Sequence, residues 1–216
     1  MNKKTEQALK WSGAFGREYT ERNPQSIEEM EELYTRNYGL TRTELNRRFL
    51  DNLDRSMRIL EVGSNVGNQL LCLQRMGFDH LYGIELQSYA VEIAKSKSKN
   101  INIIQGEASD IPFKDGYFDM VFTSGVLIHI SPNNLPEVLR EIHRCTKKYI
   151  FGFEYYSDDT KEIPYRGNSD LLWKADFAEK YLERFDNLTL VKEERIKYLG
   201  NDNVDAMFLL KKELLI

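Results

Sequence analysis

The sequence predicts an α/β fold built on a mostly parallel sheet of seven strands. From residue 57 onward, short apolar runs alternate with amphipathic helical stretches, which is typical of parallel strands joined by helices. The last two apolar runs are separated only by residues 200–203, a turn that permits an antiparallel hairpin and no crossover. We therefore expect a Rossmann-like sheet with a terminal antiparallel hairpin, helices on both faces and an N-terminal helical lid.

The first part of the chain predicts helices. Ser26 and Glu29 form a capping-box pattern, and an apolar stripe follows over 27–38. Thr41 and Glu44 repeat the pattern before a second stripe. Residues 1–56 are therefore interpreted as a helical lid or cap and residues 57–216 as the core, within one compact domain.

The core is assigned from its apolar periodicity and its glycine punctuation. The predicted strands are 57–62, 80–85, 101–105, 118–123, 148–154, 188–198 and 206–212, and the predicted helices between them are 66–76, 88–99 and 134–146.

Composition limits the classes of function. The net charge is −4 and the basic residues are scattered, so a nucleic-acid partner is not expected. The polar N-terminus does not fit a signal peptide, and no apolar run reaches the length of a membrane span. Cys72 and Cys145 lie far apart and form no metal-ligand pattern. We expect a cytoplasmic protein that uses no metal and binds a small molecule, and the sequence does not indicate an oligomeric state.

The first predicted strand ends in a glycine-containing turn, where open α/β sheets bind ligands. Asn65 stands where a dinucleotide fingerprint needs its second glycine, and the Gly-Lys-Ser/Thr ending of a P-loop is missing. The candidate ligand-binding residues here are Glu61, Gly63, Ser64, Asn65, Gly67 and Asn68.

The second strand ends in Glu85, followed by Leu86. An acid about 20 residues after the glycine turn typically accepts hydrogen bonds from both hydroxyls of a ribose. The alternative is a carboxylate that caps the next helix.

Residues 61–67 resemble motif I of the class I S-adenosylmethionine-dependent methyltransferases. Segments 105–113 and 118–122 resemble the third and fourth strands of that family. The resemblance implies that Glu107 and Ala108 line the adenine and that Ser124 and Gly125 face the methionine part of the cofactor. Glu61 suits a ligand that carries an ammonium and a sulfonium.

Two residues beyond the fourth and fifth strands are candidate catalytic groups. His129 is a candidate general base, and the alternative is a histidine that only shapes its loop. Glu154 is a candidate base, a candidate ligand for a substrate amine, or a cap for the segment that follows.

The segment after the fifth strand combines aromatic and basic residues. Such a loop suits a polar or anionic small molecule, and the alternative is a surface loop with hydrophobic anchors. The candidate substrate-binding residues are Tyr155, Tyr156, Arg166, Trp173 and Lys174.

Residues 11–19 follow a Trp-x-Gly-x-Phe-Gly-x-Glu-Tyr pattern. With the Asn65 variant of motif I, residues 125–130, 154–156 and 164–167, it resembles the methylases associated with pseudaminic acid biosynthesis. The resemblance implies a sugar-related acceptor and a lid formed by Trp11, Phe15 and Tyr19 over the cofactor, with an amphipathic helix on the sheet edge as the alternative.

The resemblances therefore predict methyl transfer from S-adenosylmethionine to an oxygen or nitrogen of a small polar acceptor such as a sugar or nucleotide-sugar, with S-adenosylhomocysteine as product. Three alternatives stay open: a methyltransferase that acts on RNA or protein, a cofactor-binding partner protein without catalysis, and an enzyme that transfers another group such as aminopropyl.

Overall fold

The computed structural model describes residues 6–213, so the first five and last three residues of the predicted lid and core lie outside the described part. One mixed sheet of seven strands forms the centre, in the order β3-β2-β1-β4-β5-β9-β8. Its strands are β1 (Arg58–Val62), β2 (His80–Glu85), β3 (Ile101–Gln105), β4 (Phe118–Ser124), β5 (Thr146–Tyr155), β8 (Leu188–Lys197) and β9 (Val204–Lys212). Two short strands, β6 (Lys161–Glu162) and β7 (Trp173–Lys174), form a separate hairpin.

The first five strands of the sheet run parallel, and β9 pairs antiparallel with β5 and β8. The predicted fold class and terminal hairpin are therefore confirmed. The hairpin β6–β7 and the last helix were not predicted, because each contains too few residues to establish a hydrophobic period.

Helices cover both faces of the sheet, as predicted. The helices are α1 (Glu6–Ser12), α2 (Ala14–Arg22), α3 (Ile27–Tyr38), α4 (Arg42–Leu50), α5 (Asn68–Arg75), α6 (Ser88–Lys97), α7 (Leu135–Cys145) and α8 (Phe177–Leu182), with a 3₁₀ turn at Leu127–His129. One core packs α4, α5 and α6 against the sheet through residues such as Leu45, Leu73 and Val91. The other packs α7 and α8 through residues such as Leu139 and Tyr181.

The predicted capping signals operate in the structure. The Ser26 side chain accepts a hydrogen bond from the Glu29 N–H at the start of α3. Thr41 and Glu44 form a complete capping box at the start of α4. Helix α5 begins two residues later than predicted, since residues 64–67 form a tight turn with positive φ at Asn65 and Gly67.

Among residues 6–213, no helix is both long enough and apolar enough to span a bilayer.

Candidate functional site

A cavity of about 1140 Å³ lies at the carboxyl ends of β1 to β5, beneath α1 and α2. It exceeds the size typical of sites for a single drug-sized ligand. This is the edge of the sheet where parallel strands direct their loops, so the cavity lies where the fold predicts a ligand.

The turn after β1 brings backbone close to the cavity. Gly63 has φ +74°, and a Cβ atom there would lie 2.5 Å from a methyl carbon of Val126. The N–H groups of Gly63 and Ser64 both donate to the Ile84 carbonyl, at 2.8 and 3.0 Å. Asn65 takes φ 45°, which an asparagine tolerates better than most residues. Asparagine therefore replaces the missing glycine without losing the turn.

Glu85 connects this turn to the start of α6. Its carboxylate accepts hydrogen bonds from the Asn65 N–H at 2.9 Å and the Gln87 N–H at 2.8 Å, one to each oxygen. Burial raises the pKa of Glu85. Each carboxylate oxygen can accept a second hydrogen bond, so the group can still bind a vicinal diol. The N-cap residue of α6 is Gln87, whose own side chain accepts a hydrogen bond from the Tyr89 N–H.

Buried polar atoms without a protein partner line the same end of the cavity. Four oxygens have no hydrogen-bond partner within residues 6–213: Glu61 Oε2, Ser64 Oγ, Asn65 Oδ1 and Asn68 Oδ1. Trp11 Nε1, on α1, also has no partner among these residues. Burial raises the pKa of Glu61 well above its ordinary range. Buried polar atoms are rarely left unpaired, so this end of the cavity fits a ligand rich in donors and acceptors.

The structure brings together nearly all of the predicted cofactor-binding residues. Those that line the cavity are Tyr19, Glu61, Gly63, Ser64, Asn65, Asn68, Glu85, Leu86, Glu107, Ala108, Ser124 and Gly125. Gly67 does not line it. That glycine is the N-cap of α5 with φ +81°, and a Cβ atom added to it would lie 3.2 Å from Cδ1 of Ile103.

His129 is buried at the end of the 3₁₀ turn and lines the cavity. Its Nδ1 lies 2.7 Å from the Leu171 carbonyl oxygen, which can only accept, so Nδ1 carries the proton and Nε2 keeps its lone pair. The ring packs on Trp11 with centroids 4.5 Å apart. Burial lowers the pKa of His129 to about 4, so the imidazole is neutral at pH 7.

Glu154 is buried at the end of β5 and also lines the cavity. Its carboxylate accepts hydrogen bonds from the Val126 N–H at 3.2 Å and the Ile128 N–H at 3.4 Å. Burial raises the pKa of Glu154 to about 7. The side chain therefore organises the loop after β4 and has a pKa suited to proton transfer near neutral pH.

The predicted substrate-binding residues are not brought together. Tyr155 lines the cavity, whereas the other four do not. Tyr156 stacks under Arg195 at 3.9 Å outside it, and Arg166 is exposed with φ 50°. Trp173 is buried in the short hairpin, and Lys174 Nζ donates to Asn203. The alternative of a surface segment with a hydrophobic anchor describes this hairpin better.

Helices α1 and α2 cover part of the cavity. Gln7 Nε2 donates to the His129 carbonyl at 2.6 Å, and its Oε1 accepts from the Ser131 N–H at 3.2 Å. Gln87 Nε2 donates to the Gly13 carbonyl at 2.9 Å from the opposite rim. These contacts fasten the N-terminal helices to loops that follow β2 and β4.

The sequence did not identify the residues at the far end of the cavity, which are Tyr34, Asn37, Tyr38, Phe153, Tyr198 and Asp205. The only signal was the use of tyrosine on the apolar stripe of α3, where leucine would fill a core equally well.

No group of three or more potential metal-ligating side chains occurs within residues 6–213.

Comparison with known proteins agrees with this geometry. Residues 60–149 match a protein-family model described as a methyltransferase domain. An uncharacterised methyltransferase from Synechocystis is 30% identical over 100 residues, which cover 45% of this chain and 47% of that protein. Phosphoethanolamine N-methyltransferase from Plasmodium falciparum is 24% identical over 98 residues, covering 44% and 37%. The chain spans less than half the length of the curated relatives that it matches.

Solved structures share the fold over most of the chain. A protein from Pyrococcus horikoshii superimposes with a TM-score of 0.67 at 18% identity, covering 91% of this chain and 99% of that one. The 1,6-didemethyltoxoflavin-N1-methyltransferase from Burkholderia thailandensis, solved with S-adenosylhomocysteine, gives 0.64 at 15% identity, covering 80% and 76%. At these identities the structures establish the fold alone, and the sequence match to a methyltransferase domain covers residues 60–149.

Proposed function

We propose that this chain transfers the methyl group of S-adenosylmethionine to an oxygen or nitrogen of a small polar acceptor and releases S-adenosylhomocysteine. The observation that carries the proposal is the arrangement of Glu61, Glu85 and the turn 63–65 at one end of the cavity, within a segment that matches a methyltransferase domain.

The cofactor-binding roles follow from the chemistry of the lining. Glu85 has one acceptor site free on each oxygen, which matches the two hydroxyls of the ribose. Glu61 is buried without a hydrogen-bond partner at Oε2 within the described chain, and that oxygen would accept a hydrogen bond from the ammonium group of the cofactor. By the resemblance to class I methyltransferases, Glu107 and Ala108 would line the adenine, and Ser124 and Gly125 would line the methionine end. Tyr19, on α2, packs over the site as part of the lid.

When bound, S-adenosylmethionine supplies an electrophilic methyl group on its sulfonium. The chain itself supplies alignment, exclusion of water and a place for the proton of a hydroxyl acceptor. Glu154 accepts that proton, because its pKa of about 7 leaves a large ionised fraction at neutral pH. His129 is neutral and fixed by Leu171, so it positions the loop and contributes Nε2 as an acceptor.

Within the predicted cap, helices α1 and α2 act as the lid, whereas α4 packs into the core against the sheet. Trp11 packs against Phe15, Tyr19 and His129 at 4.5 to 5.2 Å between ring centroids, which makes an aromatic cover over the reacting groups. Water is thereby kept from the methyl group until the acceptor is in place.

The resemblance of residues 11–19 to sugar-pathway methylases supports an acceptor of sugar size. A nucleotide-sugar is the weaker choice, because no lysine or arginine among the described residues lines the cavity to bind a diphosphate. Tyr155 is the one predicted substrate-binding residue that contacts this space.

Calorimetric titration with S-adenosylmethionine and S-adenosylhomocysteine tests the proposal, with NAD as the competing ligand class. We expect micromolar affinity for S-adenosylmethionine and S-adenosylhomocysteine and no binding of NAD. Failure to bind either, or preference for NAD, would contradict the proposed function. If the protein binds S-adenosylmethionine and forms S-adenosylhomocysteine only when a small acceptor is added, it is a catalyst and not only a cofactor-binding protein.

A further inference from the structure

The far end of the cavity is an aromatic pocket around one carboxylate. Tyr34 and Tyr38 come from α3, Tyr155 from the end of β5, and Tyr198 and Asp205 from the two sides of the β8–β9 turn. The Tyr38 and Tyr198 ring centroids lie 4.7 Å apart, those of Tyr34 and Tyr38 lie 5.4 Å apart, and those of Tyr155 and Tyr198 lie 6.0 Å apart. Four tyrosine rings therefore form a connected wall beside Asp205.

Asp205 is 2% exposed and lines the cavity. The Tyr38 hydroxyl donates to its Oδ2. Burial raises its pKa to about 6, whereas the hydroxyls of Tyr38 and Tyr198 and the charges of Arg42 and Lys174 act in the opposite direction. None of the salt bridges found within residues 6–213 includes Asp205. A buried carboxylate without a paired cation is costly, and a cationic group that enters the pocket would recover that cost.

Acidic side chains far outnumber basic ones in the lining of the cavity. Its acidic lining residues are Glu61, Glu85, Glu107, Asp110, Glu137, Glu154 and Asp205. Within residues 6–213, no lysine or arginine lines it, and His129 is neutral at pH 7. A cavity with this lining attracts cations and repels anions.

Arg42 and Lys174 lie beside aromatic rings of the pocket. Arg42 is fully buried, with its guanidinium carbon 4.5 Å from the centroid of Phe153, and it partly offsets the charges of Glu61 and Asp205. Lys174 lies 5.2 Å from the centroid of Tyr155. Neither lines the cavity, so a ligand inside meets carboxylates and ring surfaces first.

We infer that the methyl acceptor carries a cationic nitrogen, which is held against Asp205 and the rings of Tyr34, Tyr38, Tyr155 and Tyr198. Aromatic faces and a carboxylate are the groups that recognise ammonium ligands. A protonated nitrogen has no lone pair, so the atom that receives the methyl group is a different atom of the same molecule. The inference rests on the proposed function and refines it: an amine-bearing sugar fits the pocket, whereas a phosphorylated or carboxylated acceptor does not.

Three compact probes of nearly equal shape isolate the charge. Choline, 3,3-dimethylbutan-1-ol and 3,3-dimethylbutanoate are cationic, neutral and anionic, respectively. Each is titrated into protein saturated with S-adenosylhomocysteine, and binding is followed by backbone amide shifts in NMR spectra. We expect choline to bind about tenfold more tightly than the neutral alcohol and the anion to bind least.

The variant Asp205→Asn keeps the size of the side chain and removes its charge. Asp202→Asn is the matched control, since Asp202 is exposed in the same turn and lies outside the cavity lining. We expect Asp205→Asn to abolish the preference for choline and Asp202→Asn to retain it.

Unchanged affinity for S-adenosylhomocysteine in both variants would show that the fold and the cofactor end are intact. Equal binding of choline and the alcohol, preference for the anion, or no binding of any probe to the S-adenosylhomocysteine complex would overturn the inference and leave the proposed function standing. Failure of S-adenosylhomocysteine itself to bind the wild-type protein would overturn both.

Discussion

Replacing Glu85 with glutamine should weaken the binding of S-adenosylhomocysteine by about two orders of magnitude. The carboxylate is held by the N–H groups of Asn65 and Gln87, one on each oxygen. Two acceptor sites therefore remain, and both would receive ribose hydroxyls. Glutamine offers one neutral oxygen in place of two charged ones. Its NH₂ group would face a backbone N–H, and because both groups are donors no hydrogen bond can form between them.

The magnitude follows from these two hydrogen bonds. A hydrogen bond to a charged acceptor contributes about 1.5–3 kcal/mol. Losing the charged component of two such bonds costs about 3 kcal/mol, which corresponds to roughly a 100-fold increase in Kd. Because burial raises the pKa of Glu85 and the ionised form accepts the hydroxyls, binding by the wild-type protein should also weaken as the pH falls through that raised pKa.

Isothermal titration of the wild-type protein, Glu85→Gln and Glu92→Gln provides the assay. Glu92 is on α6, its side chain is 75% exposed, and its replacement should leave Kd unchanged. Thermal unfolding without ligand would detect any loosening of the turn 63–65. If Glu85→Gln binds S-adenosylhomocysteine within threefold of wild type, Glu85 does not bind the ribose and the assignment is wrong.

Gly63→Ala should abolish cofactor binding and lower Tm, because φ is positive there and the new Cβ would lie 2.5 Å from a methyl carbon of Val126. Gly116→Ala is the control: φ is +58° and no atom lies within 4 Å, so this variant should lower Tm less and bind the cofactor normally. The free energy of unfolding of the wild-type protein should fall between pH 6.5 and 4.5, because in that range the imidazole of His129 takes up a proton only when the protein unfolds. His129→Gln should make this fall smaller by about 2 kcal/mol, as measured by urea unfolding. An unchanged pH slope would refute the burial of His129. Trp11→Ala should speed dissociation of S-adenosylhomocysteine in stopped-flow measurements, whereas Leu9→Ala, 57% exposed on the same helix, should not; equal rates would argue against a lid.

The sequence predicted the sheet well because hydrophobic periods and caps are local signals. The end of β2 at Glu85 and the cap at Thr41 lie where the pattern placed them. Residues 61–68 also followed the pattern of a ligand-binding turn. Since parallel strands end at one edge of the sheet, the predicted strand ends sufficed to bring the cofactor end together.

The acceptor end could not be predicted by the same means. Asp205 reaches the cavity only because β9 is inserted between β5 and β8, a long-range pairing with no local signature. Tyr38 followed the helical period and was interpreted as core. Conversely, Arg166 and Lys174 matched the composition of a binding loop, but neither lines the cavity: Arg166 is exposed, and Lys174 lies beside the ring of Tyr155.

The central claim is that the cavity above β1 and β2 holds S-adenosylmethionine, and a crystal structure of the protein with S-adenosylhomocysteine tests it most directly. We expect both ribose hydroxyls within hydrogen-bond distance of Glu85, the amino group beside Glu61, and the sulfur facing the pocket that contains Asp205. Density for the ligand at another surface, or a ribose that does not contact Glu85, would contradict the account.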